Sequence, residues 1–257
     1  MATGLKASMI TVYRLLAFVL FLLLWWVISL VVGENLIPTP LSTLSAAQYL
    51  IGDGRIAQPL LSSLGVYCSG YALAVVVGIP IGMLMGGIRD LGRTLDIYVN
   101  ALMATPRVAF IPLIILFLGL GPEAKIAVVF LGAVIPILIG TYSGILNSDA
   151  ELIEMARSMG ATRSQIYWRI MLPGALSFVV MGLRIGATIG LINTVVAELY
   201  TAASGLGGLL ALYGNTFQMA RYFVVVLALA LIGGLVSQGL RMLENWASRW
   251  RVTTAGN

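Results

Sequence analysis

The chain predicts an all-α membrane protein of six transmembrane helices, and three observations carry that expectation. Of its 257 residues, 60% are hydrophobic and 10% charged, whereas a soluble domain carries about 25% charged residues to coat its surface. Six apolar runs approach or exceed the roughly 20 residues a helix needs to cross hydrocarbon. The basic residues fall mostly on alternate sides of those runs, as the positive-inside rule requires.

The first run, residues 15–32, follows Lys6 and Arg14. It exceeds a signal-peptide core and no small-residue cleavage site follows, so it reads as a retained span. Residues 33–59 form an outer loop with an amphipathic piece between Pro40 and Gly52, expected along the membrane surface. The second span is 60–88. The third is 97–120, interrupted by Arg107 and expected to be kinked by Pro106 and Pro112. The fourth is 126–146, the fifth 170–197, interrupted by Arg184, and the sixth 222–240.

Residues 199–220 are also uncharged, but they include Gly205, Gly207, Gly208 and Gly214. Charge decides how they are read. Six crossings from a cytoplasmic start place Lys6, Arg14, Arg89, Arg93, Arg157, Arg163, Arg169, Arg241, Arg249 and Arg251 inside, against Arg55, Lys125 and Arg221 outside. A seventh crossing would move Arg241, Arg249 and Arg251 outside. Both termini are therefore expected in the cytoplasm, and 199–220 reads as a re-entrant or surface-lying segment on the outer side. With no repeat or linker, residues 1–257 read as one transmembrane domain.

Composition also excludes chemistry. The chain has no histidine, which removes His-based triads, proton relays and most zinc or iron sites, so no metal site is expected. Cys68 is the one cysteine and stands in an apolar run, where a thiol is most simply a small buried hydrophobe. The net charge of +5 is accounted for beside the membrane, without nucleic acid. Lys6 and Lys125 are the two lysines and neither follows glycine, so no P-loop is present. Asp96, Glu198 and Glu244 sit at predicted span ends, leaving no acidic group deep in a span for ion coupling.

Two glycine ladders recur at four-residue spacing: Gly78, Gly82 and Gly86 in the second span, and Gly182, Gly186 and Gly190 in the fifth. Small residues at this spacing let helix backbones approach closely. Either ordinary bundle packing or a sliding helix crossing explains them.

The insert 147–173 is the longest polar stretch on the cytoplasmic side. Ser148 with Glu151 reads as a capping box, Gly160 as a left-handed stop, and Thr162 with Gln165 as a second box, giving two short helices. In the first, Leu152, Met155, Ala156 and Met159 form an apolar stripe, while Glu151, Glu154 and Arg157 face elsewhere. Such a stripe either folds back on the membrane or enters a groove on another protein.

Glu154-Met155-Ala156, then Gly160, Ile170 and Leu172-Pro173, resembles the EAA loop of the permease subunits of bacterial ABC importers, with Met155 where alanine is usual. Residues 105–113, Gly119-Leu120-Gly121, Gly182-Leu183-Arg184-Ile185, Ala197-Glu198 and Ser204-Gly205-Leu206-Gly207 resemble the nitrate/sulfonate/taurine branch of that family. The resemblance spans residues 15–251. It implies a homodimeric permease in a bacterial cytoplasmic (inner) membrane, surrounded by lipid. Its coupling helix would dock on a separate ABC ATPase dimer that holds ATP and magnesium, and an extracytoplasmic binding protein would deliver a small, anionic solute. No cofactor is expected on this chain, nor enzymatic activity. Glu154, Ala156 and Gly160, with Leu152, Met155, Met159 and Arg157, are the expected coupling residues.

Arg107 and Arg184 each cost about 2.5–3.5 kcal/mol at a helix centre and so need partners. One reading is structural: Arg107 satisfies carbonyls freed by Pro106, and Arg184 pairs with a carboxylate such as Glu198 or Asp96. The other places one or both, Arg107 and Arg184, on the translocation path for an anion, Arg107 foremost because Pro106 breaks its helix. Glu198 is a candidate hinge of an outer gate formed by 197–218. A channel or scaffold subunit without ATP coupling, and a permease for a vitamin precursor, remain alternatives.

Overall fold

The computed structural model describes residues 2–201 and 204–247, and all regular structure among them is helical. The order is α1 (Ala2–Val32), α2 (Pro40–Gly52), α3 (Ala57–Gly87), α4 (Arg89–Ala104), a 3₁₀ turn (Arg107–Phe110), α5 (Ile111–Leu118), α6 (Pro122–Leu146) and α7 (Ala150–Ser158). The chain continues through α8 (Arg163–Ile166), a π turn (Tyr167–Met171), α9 (Leu172–Thr201), α10 (Gly205–Asn215) and α11 (Met219–Ala247). Five stretches are long and apolar enough to cross a membrane: Met9–Val32, Ala57–Gly87, Pro122–Leu146, Arg163–Thr201 and Met219–Glu244. Arg249 and Arg251 lie outside the described residues.

The third span departs from expectation. Its helix begins at Arg89, stops at Ala104 and resumes after an 82° bend. The cause is Pro106, which drives Thr105 to an extended ψ of 131°. Pro112 makes no kink, because it sits in the first turn of α5, where a missing N–H costs nothing. Asp96 consequently lies within α4 and not at a span end.

The most buried of these long helices is α6, which packs between α3 and α9. Both glycine ladders face it. A Cβ at Gly82 would come within 2.7 Å of the Leu138 carbonyl, one at Gly182 within 2.9 Å of the Pro136 carbonyl, and one at Gly186 within 3.0 Å of the Ala133 carbonyl. Backbones meet here with no side chain between them. By contrast, α1 and α11 leave most of their apolar surface facing outward, and so does Cys68, which is exposed on α3 and is no core residue.

The bundle has two functional ends. At one, the end of α3, the start of α4, the end of α6, α7 and α8 converge; this is the insert face. At the other lie α2, α10 and the start of α11. With 11 residues, α10 spans only about 16 Å and cannot cross. It is packed into the bundle through Leu206, Leu210 and Tyr213, which bury against Leu50 of α2 and Val225 of α11. Neither α2 nor α10 simply floats on the surface: α2 packs on α11, and α10 packs on α3, α9 and α11, while Leu41, Leu44 and Tyr49 of α2 remain exposed.

Candidate functional site

The insert face carries the first candidate. Asp149 caps α7, its Oδ1 accepting the N–H groups of Glu151 and Leu152 at 2.9 and 3.3 Å. The expected cap, Ser148, instead donates to the Ile145 carbonyl at 2.8 Å. Its hydroxyl is therefore spent on the end of α6, and the neighbouring carboxylate takes over the N-terminus. At the other end the Gly160 N–H bonds the Arg157 carbonyl at 2.9 Å and the Ala161 N–H bonds the Ala156 carbonyl at 3.0 Å. With φ at +81° for Gly160, this is a Schellman closure, so the spacing of Ala156 and Gly160 has a backbone cause. The second capping box, Thr162 with Gln165, forms as expected. Its helix runs on through the π turn into α9. That widened turn sits where Pro173 removes the N–H that would bond residue 169.

On α7 the apolar residues divide. Leu152, Met155 and Met159 are 46, 56 and 80% exposed, with Glu154 exposed beside them. Ala156 is half-buried together with Ile153, so it belongs to the body-facing side and not to the exposed stripe. Arg157 lines a cavity between α7 and the α3–α4 turn.

The second candidate is the break before α5. Pro136 lies inside α6 and leaves the Gly132 carbonyl without its helical N–H. Arg107 donates to that carbonyl at 2.8 Å. A proline-freed carbonyl does hold the arginine, but the proline responsible is Pro136 and not the adjacent Pro106. Asn193 on α9 joins them, donating to the Val128 carbonyl at 3.3 Å, and a Cβ at Gly132 would overlap its amide. Among the described residues no carboxylate pairs with Arg107.

Arg184 pairs with Glu244 of α11 at 2.8 Å, not with Glu198 or Asp96. The α9–α11 packing brings these two together across 60 residues of sequence.

Glu198 is fully buried. Both carboxylate oxygens lie 2.8 Å from the Ser63 hydroxyl, and Oε2 accepts the Gly207 N–H at 2.8 Å. The Ser63 oxygen in turn accepts the Leu206 N–H at 2.8 Å. A negative group thus sits on the unpaired N–H groups that open α10, where it is most favourable. A Cβ at Gly205 would overlap the carboxylate, and one at Gly207 would come within 2.5 Å of the Glu198 Cβ, so both glycines are required for the approach. Lys125, 2% exposed, donates to Ser204 Oγ at 2.7 Å just before this helix. Sequence reasoning missed Ser63, Lys125, Gly132, Asn193 and Glu244 as partners. Ser63 and Glu198 stand 135 residues apart with no local pattern linking them. The charge of Lys125, in a predicted outer loop, was the one available signal.

Residues 78–249 match the family described as binding-protein-dependent transport system inner membrane component. A taurine transport system permease protein of Escherichia coli (strain K12) is 29% identical, the match covering 89% of this chain and 86% of that one. A formylaminopyrimidine transport permease protein of Halalkalibacterium halodurans is 27% identical over 92% of this chain and 94% of its own. Among solved structures, a chain of the MetNI methionine ABC transporter in inward-facing conformation superposes with a TM-score of 0.63 at 24% identity, covering 73% of this chain and 93% of that one. This last likeness establishes a shared fold.

Proposed function

The chain belongs to the binding-protein-dependent transport system inner membrane component family of multi-pass ABC importer permeases, and from that membership we propose its working arrangement. It is a single permease domain with six crossings, the bent α4–α5 pair counting as one, and both termini in the cytoplasm. Two copies form the pathway for a small anionic solute of the nitrate, sulfonate or taurine kind. A binding protein delivers the solute at the α10 end, and a separate ATPase dimer, which holds the ATP and magnesium, docks at the insert face. No cofactor is assigned to this chain.

The observation that carries this reading is the bare stripe on α7. Leu152, Met155 and Met159 stand exposed on a rigidly capped helix, and covering such side chains contributes up to ~1.5–3 kcal/mol each. An amphipathic helix held out in this way suits insertion into a protein groove. Glu154 and Arg157 flank the stripe, and Ala156 and Gly160 close the helix behind it. The pathway residue is Arg107, at the break made by Pro106; it donates to the Gly132 carbonyl, and among the described residues no carboxylate neutralises its charge, which leaves it to attract an anion. Arg184 and Glu198 are satisfied inside the chain and serve structure.

The test uses the chain co-expressed with its ATPase and binding protein. Gly160→Val forces a β-branched residue into a left-handed conformation, a strain of about 1–2 kcal/mol, and Glu154→Lys reverses a charge beside the stripe. Both variants should insert normally yet recover less ATPase and show weaker substrate-stimulated hydrolysis. Normal complex yield with normal coupled hydrolysis would refute the assignment and favour a channel or scaffold. The formylaminopyrimidine relative favours a second reading, a vitamin-precursor importer, which binding measurements on the partner binding protein separate from the first.

A further inference from the structure

We propose that the insert face carries a binding site for the phosphate headgroup of an anionic phospholipid, seated between the α3–α4 turn, α7, α8 and the π turn. A cavity of about 900 Å³ opens there. Arg89 and Arg93 of α4, Arg157 of α7 and Arg163 of α8 all line it. These four guanidiniums come from three separate segments, and none has a carboxylate within 4.0 Å among the described residues. The acidic groups on the same elements, Asp90, Asp96, Glu151 and Glu154, do not line the cavity. The positive-inside rule accounts for arginines on this face, but not for their convergence on one cavity.

A guanidinium matches phosphate oxygens with two parallel N–H donors, and several together hold a group that is charged on every face. The remaining walls choose the source of that phosphate. Met83, Leu146 and Met171 make part of the lining apolar, and Trp168, which also lines it, is 58% exposed. Indole and phenol rings favour the headgroup level of a bilayer. An apolar wall beside a basic cavity fits an acyl chain below a phosphate, whereas free phosphate or an acidic protein segment would leave that wall uncovered. The site needs only that the arginine-bearing face meets a leaflet; it lies on the Ile153 and Arg157 side of α7, apart from the exposed stripe of Leu152, Met155 and Met159.

The experiment is native mass spectrometry of the full-length chain purified in detergent, with phosphatidylglycerol and phosphatidylcholine as competing probes. Phosphatidylglycerol should be retained in preference, and millimolar inorganic phosphate should not displace it. Arg89→Gln with Arg93→Gln should lower the preference by about thirtyfold, given the contribution of each arginine near a charged surface. Arg14→Gln with Arg241→Gln removes the same charge outside the cavity and should leave the preference within about threefold. Should the first double variant fail to fold, Arg163→Gln supplies the same readout with an expected loss of about fivefold. Equal retention of both lipids, equal loss in the two double variants, or displacement by inorganic phosphate would overturn the proposal.

Discussion

Replacing Glu198 by alanine isolates what anchors α10. The native carboxylate is fully buried and accepts from the Gly207 N–H and the Ser63 hydroxyl, each at 2.8 Å. Alanine leaves the N–H with no acceptor and turns the hydroxyl toward a void. A buried donor left unpaired costs about 1–3 kcal/mol, so the two together cost roughly 2–6 kcal/mol, before any cavity cost. Nearly all of this falls on the seating of α10. Opening of residues 204–218 should therefore become more frequent by a factor of about thirty at the low end and on the order of ten thousand at the high end. Amide exchange at Leu206 and Gly207, followed by mass spectrometry in nanodiscs, reads this directly. Glu198→Gln keeps an acceptor oxygen and should lose much less. Exchange in Glu198→Ala within twofold of the parent, from protein that elutes normally, would refute the anchoring argument.

Other outcomes follow from the same packing. Gly182→Val places a side chain against the Pro136 carbonyl and Gly140; overpacking of this kind costs about 1–3 kcal/mol, and the melting temperature in detergent should fall accordingly, while Gly234→Val, which meets nothing, should leave it unchanged. A double-mutant cycle on Arg184→Gln and Glu244→Gln should return a coupling of about 1 kcal/mol or less, because both side chains are partly exposed; a coupling of zero would mean that the pair does not join α9 to α11. Arg107→Gln retains a donor for the Gly132 carbonyl but removes the charge. Assembly should persist while substrate-stimulated uptake in a reconstituted complex falls, and unchanged uptake would remove Arg107 from the pathway.

Legibility in the sequence followed the range of the interactions. The long apolar runs, the capping box at Thr162 and the left-handed Gly160 all depend on residues within a few positions of one another. Those interactions fold as the pattern predicts. Where two local signals competed, the nearer charge won, as with Asp149 displacing Ser148. The failures were of another kind. Arg107 was matched to the proline beside it, although its carbonyl lies on α6, and Arg184 was offered two carboxylates when the third, Glu244, sits opposite.

Hydrocarbon imposes length, polarity and intrahelical bonding on each span separately, so the long apolar helices and the family could be read from the chain alone. Only the tertiary structure decided that both glycine ladders face α6, that 199–220 includes a short helix locked at its N-terminus by Glu198 and Ser63, and that four arginines share one cavity. Buried charges in a bundle take whichever partner the helix packing delivers, and packing is a property of surfaces that meet in space, not of neighbours in sequence.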